Sequence, residues 1–168
     1  MSLNIEVFVQ GTPKGQPRPR AFSRGGKASV YNPATAEGWK SEIAHALRKW
    51  SNIEHTGPVS VTLVCTFKRP ASHFIVRKGI RASLKLRAPK WHTQKPDGDN
   101  LAKAVLDTCS QIGIWKDDAQ VVTLVVHKIW SMPTPKGGGQ MTPQGVLISI
   151  DSWTYEYEDE PVFAPEPV

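Results

Sequence analysis

Five aspartates and one lysine within a short stretch of the chain could carry metal-dependent chemistry. Asp97 and Asp99 are two residues apart in a segment that we expect to be extended, so their side chains point to the same side. In the helix predicted to follow, Asp99 or Asn100, Lys103 and Asp107 are spaced by three or four residues and share one polar face. The spacing therefore predicts a compact group of carboxylates beside one amine.

A second acidic pair stands where the next strand is predicted to begin. Asp117 and Asp118 can fold back there beside the preceding helix. Three or four carboxylates so close together repel one another unless a divalent cation is bound. Because these ligands are oxygens without a partnering His or Cys, they favour Mg²⁺, with Mn²⁺ able to substitute, over Zn²⁺. Such a cation can activate a bound water for hydrolysis, and Lys103 would add a fixed positive charge beside it.

Each of these residues also has a structural explanation. Asp-Gly is a common turn, Asp99 or Asn100 can cap the helix, and Asp117 with Asp118 can form a solvated bend. Lys103 can form an ordinary ion pair with a neighbouring aspartate on an exposed helix. A calcium loop of the EF-hand type is disfavoured, since its twelve-residue ligand spacing is missing. The density of five aspartates in 22 residues favours the metal site.

The distribution of charge points to a polyanionic partner. The whole chain carries a net charge of +6, but residues 1–150 hold all 21 bases and only 9 acids, a balance of +12. Lys and Arg gather phosphates, while clustered carboxylates hold a hard cation. A basic body with one acidic spot therefore suits a metal-dependent enzyme that acts on nucleic acid. The alternative is a solvated basic surface with scattered aspartates.

Aromatic residues accompany the basic ones in two places. Residues 13–27 are rich in Pro, Gly and bases and are predicted to be a loop. With Phe22 and the nearby Tyr31, its cations could follow phosphates, or the loop could serve only solubility. Trp91 precedes the first aspartates by a few residues. Its ring and that of His92 could stack on a base at an opened branch point, or Trp91 could pack inside the protein.

Hydrophobic periodicity predicts the elements that position these side chains. Alternating residues predict strands, and apolar residues at helical spacing predict helices. The predicted strands cover 4–10, 59–67, 119–130 and 146–150, and the helices cover 34–50 and 101–111. The fold class is therefore α/β (α+β), a single domain with a mixed β-sheet and two main helices in the order β-α-β-α-β-β. We expect a long, partly ordered arm at 68–95 and a hairpin or flexible loop at 132–143.

Length and composition set the remaining expectations. A chain of 168 residues with 39% hydrophobic content suits one domain, here predicted as residues 1–151, with 152–168 as an acidic, flexible tail. Its apolar runs are shorter than the roughly 20 residues that span a bilayer, and no leader is recognisable, so we expect no membrane association. Cys65 and Cys109 are isolated in apolar surroundings. They suggest reduced core thiols and a cytoplasmic protein.

The central motif resembles one known family of nucleases. Lys95-Pro-Asp97-Gly-Asp99-Asn100-Leu-Ala-Lys103-Ala-Val-Leu-Asp107, then Gly113-Ile-Trp-Lys-Asp117-Asp118-Ala-Gln-Val-Val with Lys128 after it, looks like the signature of the RusA family of Holliday junction resolvases. The opening Gly11-Thr-Pro-Lys14-Gly-Gln-Pro-Arg18-Pro-Arg20 and Tyr31-Asn-Pro33 are similar to that family's N-terminal pattern. The likeness covers most of residues 5–150.

The resemblance implies a small homodimer that makes paired nicks in four-way DNA junctions with Mg²⁺. It implies that Asp97, Asp99 and Asp118, with Asp117 beside them, bind the metal and that Lys103 is catalytic with them. Apart from the resemblance, the basic and polar residues around the motif predict DNA contacts at Lys14, Arg18, Arg20, Arg24, Lys95 and Asn100. A restriction-type nuclease is disfavoured, because no Asp/Glu-x-Lys tripeptide lies downstream. A non-catalytic DNA-binding or architectural module remains the alternative.

Overall fold

The computed structural model describes residues 2–17, 20–24, 27–31, 36–77, 80–134 and 140–153. Its centre is a four-stranded sheet. The four strands are β1 (Asn4–Gln10), β4 (Val59–Phe67), β7 (Val121–Trp130) and β8 (Gly145–Ser152), in the spatial order β1-β8-β4-β7. β8 is antiparallel to both of its neighbours, whereas β4 and β7 are parallel. A parallel pair needs a long crossover connection, and the chain between β4 and β7 contains the second helix.

Two helices pack on one face of this sheet. α1 (Glu37–Leu47) contacts β1, and α2 (Gly98–Gln111) contacts both α1 and β7. Their apolar side chains recur at helical spacing and meet the buried residues of the strands. The fully buried side chains of this core include Ile5, Ile43, Leu47, Val61, Leu63, Leu101, Val105, Ile148 and Ile150. Each contributes roughly 1.5–3 kcal/mol by leaving water, and together they hold α2 in a fixed position on β7.

Two hairpins stand outside the main sheet. β2 (Arg20–Arg24) pairs with β3 (Lys27–Tyr31), and β5 (Phe74–Arg77) pairs with β6 (Ile80–Leu84). The prediction of a loop throughout 13–27 was therefore wrong for residues 20–24 and 27, while residues 25 and 26 lie outside the described residues. Five-residue strands rich in long cations show too little hydrophobic alternation to be recognised in the sequence. The arm predicted at 68–95 likewise contains a hairpin.

The end of that arm packs against β7. We call residues 89–94 the docked segment. Trp130 donates its backbone N–H to Lys90 O, and His92 donates its backbone N–H to Lys128 O, each at 2.9 Å. The Lys128 ammonium also donates to Gln94 O at 2.6 Å. These bonds fix the docked segment along the last residues of β7.

A buried arginine and a buried histidine secure the docked segment from inside. The Arg69 guanidinium, 3% exposed, donates to Ser131 O at 2.6 Å and to Pro89 O at 2.8 Å. The ring of His92 lies 3.9 Å from that of Phe67 and 4.3 Å from that of Trp130, between centroids. Residues distant in the sequence thus build one polar and aromatic cluster. The base-stacking role that the sequence suggested for His92 is wrong, because the ring is buried in this cluster.

The predicted order of elements is confirmed for the main sheet and its helices. β1 and β4 have the predicted bounds, and β7 and β8 differ from prediction by two residues or fewer at each end. α2 begins three residues earlier than predicted, and a short 3-10 turn, Arg48–Trp50, completes the first predicted helix. In the predicted hairpin or loop at 132–143, Pro133 pairs with Met141, and residues 135–139 lie outside the described residues.

β8 extends to Ser152, whose N–H donates to Leu3 O at 2.8 Å. The rest of the predicted tail, beyond Trp153, lies outside the described residues. Cys65 and Cys109 are buried free thiols, as predicted, and burial raises the pKa of each to about 12. None of the helices within the described ranges is both long and apolar enough to cross a bilayer.

Candidate active site

The N-terminus of α2 presents the first two aspartates to solvent. Asp97 flanks the helix in extended conformation, and its carbonyl accepts the N–H of Leu101 at 3.1 Å. Its carboxylate makes no capping hydrogen bond. Asp99 lies in the first helical turn, where the helix dipole stabilises negative charge. Both side chains are exposed, so they are accessible to water, a cation and phosphate groups.

Lys103 lies one turn further along the exposed side of α2. Its ammonium is 3.1 Å from Oδ1 of Asp107, an ion pair between residues four apart. The Lys103 side chain is 60% exposed. Exposed pairs of this kind contribute about 0–1 kcal/mol, so the lysine can leave Asp107 for a substrate phosphate at small cost.

The second acidic pair begins a 3-10 turn, Asp118–Gln120, at the start of β7. Asp117 caps this turn, because its Oδ1 accepts the N–H of Ala119 at 2.8 Å. Gln120 completes the cap and also donates to His55 O and Gly57 O, which anchors the turn to the chain before β4. Asp118 is the first residue of the turn and is exposed. The Asp117 carboxylate therefore has a structural role on one of its oxygens.

The two acidic regions stand on elements that contact each other, but among the described residues their carboxylates do not form the compact group that the spacing predicts. α2 contacts the 3-10 turn, and a Cβ built on Gly98 would lie 3.9 Å from Cγ1 of Val126 in β7. Within the described residues, no three Asp, Glu, His or Cys side chains form a group that could enclose a metal ion. The oxygen donors suit Mg²⁺ in their chemistry. Mg²⁺ commonly takes one or two carboxylates and completes its shell with water and substrate phosphates, so an open arrangement fits it.

A cleft of about 580 Å³ adjoins Asp97. It is lined by Gly15, Gln16, Pro17, Lys95, Pro96, Asp97 and Asn100. The N–H of Gln16 donates to Asn100 O at 2.7 Å, which holds the N-terminal segment against α2. Only glycine fits at residue 15, since a Cβ there would lie 2.9 Å from the Cβ of Asn100. The sequence analysis predicted roles for Lys95 and Asn100 but did not predict a cleft. The cleft could not be seen in the sequence, because two segments that are distant in the chain form it.

Gln16 has a further property within that cleft. Its Oε1 is buried and has no hydrogen-bond partner among the described residues. A buried acceptor without a partner costs free energy, so this oxygen is suited to accept a hydrogen bond from water or from a bound molecule. In the sequence, Gln16 was noted only as one residue of the N-terminal pattern that resembles the family, and no role was predicted for it.

The predicted DNA contacts fall in three places. Lys95 and Asn100 line the cleft, and Lys14 lies exposed beside a second depression of about 520 Å³ near the start of α1. Arg20 and Arg24 are the first and last residues of β2. Arg18 lies outside the described residues. Lys14, Lys95 and Asn100 are thus distributed along a path that passes Asp97.

Comparison with known proteins decides the family. The family model described as Endodeoxyribonuclease RusA matches residues 10–136, well over half of the chain. The chain belongs to the RusA endodeoxyribonuclease family. The resemblance seen in the central motif is thereby confirmed, and the protein is an endodeoxyribonuclease of this family. The matched range contains the cleft, α2 and the 3-10 turn, whereas β8 follows it.

The alignments with individual relatives cover different shares of this chain. YqaN of Bacillus subtilis strain 168, an uncharacterized protein, is 36% identical over 129 residues, 76% of this chain and 88% of YqaN. The crossover junction endodeoxyribonuclease RusA of Escherichia coli K12 is 44% identical over 45 residues, 27% of this chain and 35% of that protein. The protein of the same name from Enterobacteria phage 82 has the same identity and coverage.

Proposed function

We propose that this RusA-family endodeoxyribonuclease resolves four-way DNA junctions by paired, symmetric nicks during recombination and repair. The observation that carries the proposal is the pair of exposed carboxylates, Asp97 and Asp99, at the helix N-terminus beside a cleft with a lysine. Family membership supports the endonuclease chemistry, and the name of the E. coli and phage relatives supports the junction substrate. The buried, free cysteines are consistent with our proposal of a cytoplasmic location.

Three carboxylates are proposed to bind the cation. Asp97, Asp99 and Asp118 would hold Mg²⁺. Asp117 would support them with the carboxylate oxygen that does not accept the N–H of Ala119. When bound, Mg²⁺ supplies an activated water and stabilises charge on the phosphate in the transition state. The carboxylates alone would repel the DNA backbone, so a bound cation would also relieve this repulsion at the cleavage site.

Lys103 and the basic residues are proposed to act on the phosphates. Lys103 would exchange Asp107 for the scissile phosphate and contribute a fixed positive charge there. Lys95 and Asn100 would hold the adjoining backbone in the cleft. Lys14, Arg18, Arg20 and Arg24 would bind the DNA further away through charge, which gives affinity without sequence preference.

A homodimer would place one such site at each of the two strands that must be cut. β7 is an edge strand of the main sheet. In the described part of the chain, the docked segment pairs with the last residues of its outer edge, and no other segment pairs with that edge. Near its open part, Val122, Leu124 and Val125 are 55%, 44% and 36% exposed. An apolar edge strand of this kind is a surface for pairing with another strand. We propose that a second copy covers it, which fixes the separation of the two Asp118 residues.

The dimer proposal has a direct test. Light scattering at micromolar concentration should give twice the chain mass, and Leu124→Lys should give the chain mass, while Ile53→Lys serves as the control at another exposed apolar residue. Mixing wild type with Asp99→Asn should produce heterodimers that nick one strand. A monomeric wild type that still makes both nicks in one binding event would contradict the proposal.

The function itself is tested with DNA of defined shape. Synthetic four-way junctions, flaps and linear duplex should be incubated with the protein, with and without Mg²⁺, and the nicks mapped. We expect paired nicks at symmetric positions in junctions and none without the cation. Binding without cleavage under all conditions would instead favour the non-catalytic module.

A further inference from the structure

Trp91 presents a large aromatic surface close to the candidate active site. Its side chain is 52% exposed, although most of the neighbouring aromatic cluster is buried. Of the two alternatives that the sequence left open for Trp91, packing inside the protein therefore does not hold. An exposed indole in a basic protein is a surface on which a nucleic-acid base can stack.

The backbone on both sides of Trp91 is fixed. Trp91 pairs with Ile129 of β7, and the two 2.9 Å hydrogen bonds that join Lys90 to Trp130 and His92 to Lys128 flank it. His92 is buried next to it. The binding of a ligand that stacks on this indole therefore costs little backbone conformational entropy.

The side chains around the ring suit a nucleic acid. The ring of His127 lies 6.3 Å from that of Trp91 between centroids, at an angle of 29° between planes. The Lys90 ammonium is 4.9 Å from the centroid of the indole. Aromatic rings accompanied by cations are the combination that binds unpaired bases together with their phosphates.

The position of Trp91 relative to the acids is limited by the chain. Asp97 is the sixth residue after Trp91, and a chain of this length limits the distance between their Cα atoms to about 20 Å. Gly98 lies against Val126, and His127 is the next residue of β7. Because nucleotides repeat every ~3.4 Å along a strand, the indole lies within about six nucleotides of a phosphate held at Asp97.

We propose that Trp91, accompanied by His127 and Lys90, stacks on an unpaired base at the branch point and thereby selects open branched DNA over continuous duplex. This inference rests on the proposed function, for which it names a specificity-determining residue. A base in a continuous duplex is stacked between its neighbours and has no free face. Loss of the indole should therefore weaken binding to open branch points and leave binding to linear duplex unchanged.

The experiment measures binding rather than cleavage. Four-way junctions and forks with 2-aminopurine as the unpaired base at the branch, and a linear duplex, are titrated in the presence of a metal chelator. Trp91→Ala should weaken binding to the branched probes roughly fivefold to a hundredfold and abolish the quenching of 2-aminopurine fluorescence. Trp91→Phe, which keeps a ring, should retain both.

Trp153→Ala is the matched control. Trp153 is 42% exposed, and its N–H bonds to Pro58 O at the end of the sheet opposite the docked segment. Equal loss in Trp153→Ala, unchanged branch binding in Trp91→Ala, or an equal loss on linear duplex would overturn the inference. Thermal melting of each variant checks the fold. Because the assay needs no cleavage, a protein that never nicks junctions would contradict the proposed function and still give a result for Trp91.

Discussion

Strand β7 holds two regions that are built in opposite ways. The carboxylates near its start and beside Val126 are exposed, and backbone bonds and helix packing position them. At its other end, the docked segment is held by the buried side chains of Arg69 and His92. Groups that must meet water, a cation and phosphate lie open, whereas groups that maintain the geometry are buried and bonded. Substitutions in the first region should therefore change chemistry, and those in the second should change stability.

The largest expected effect lies in the acidic region. Asp97→Asn, Asp99→Asn or Asp118→Asn should each lower the cleavage rate by about a thousandfold or more, since several kcal/mol of charge stabilisation is lost at about 1.4 kcal/mol per factor of ten. Junction binding should stay the same or become tighter, because repulsion of the phosphates falls. Nick mapping and filter binding give the two quantities.

Glu37→Gln is the control for this prediction. Glu37 is also an exposed acid in the first turn of a helix, but it belongs to α1. Its replacement should leave cleavage unchanged. Wild-type cleavage by any of the three aspartate variants would show that the residue concerned is not part of the catalytic group.

The two regions also differ in how far the sequence could predict them. The acids lie within a short window, so their spacing alone indicated a common site. Alternation predicted the bounds of β1, and β-branched residues with partial alternation predicted those of β4. The contact between Gln16 and Asn100 joins segments far apart in the chain, and so do the contacts of Arg69 with Ser131 and Pro89. No local pattern specifies such pairs, because they form only after the sheet has placed both partners.

The next effect concerns the anchor of the docked segment. Arg69→Met should lower the free energy of unfolding by about 2–4 kcal/mol, because Ser131 O and Pro89 O lose their buried donor. Denaturant titration measures the change. Arg87→Met, which alters an exposed arginine in the same part of the chain, should change stability by less than about 0.5 kcal/mol. A loss of cleavage in Arg69→Met without any loss of stability would contradict the division between the two regions.

The smallest expected effect is a dependence of stability on pH in the buried cluster. Burial, with the positive charge of Lys128, lowers the pKa of His92 in the folded protein. The unfolded chain therefore binds this proton at higher pH, so that His92's contribution to stability is full above about pH 6.5 and falls as the pH drops below that value.

His92→Phe should reduce that loss of stability between pH 7.5 and 5, since a phenyl ring can lie between Phe67 and Trp130 without titrating. Denaturant midpoints at both pH values measure it. His45→Gln, at an exposed histidine of α1, is the control for removing one imidazole ring. If His92→Phe loses as much stability between pH 7.5 and 5 as the wild type, the loss arises from groups other than His92, and the prediction is contradicted. If it loses less, the buried end of β7 is a region where protonation opposes folding.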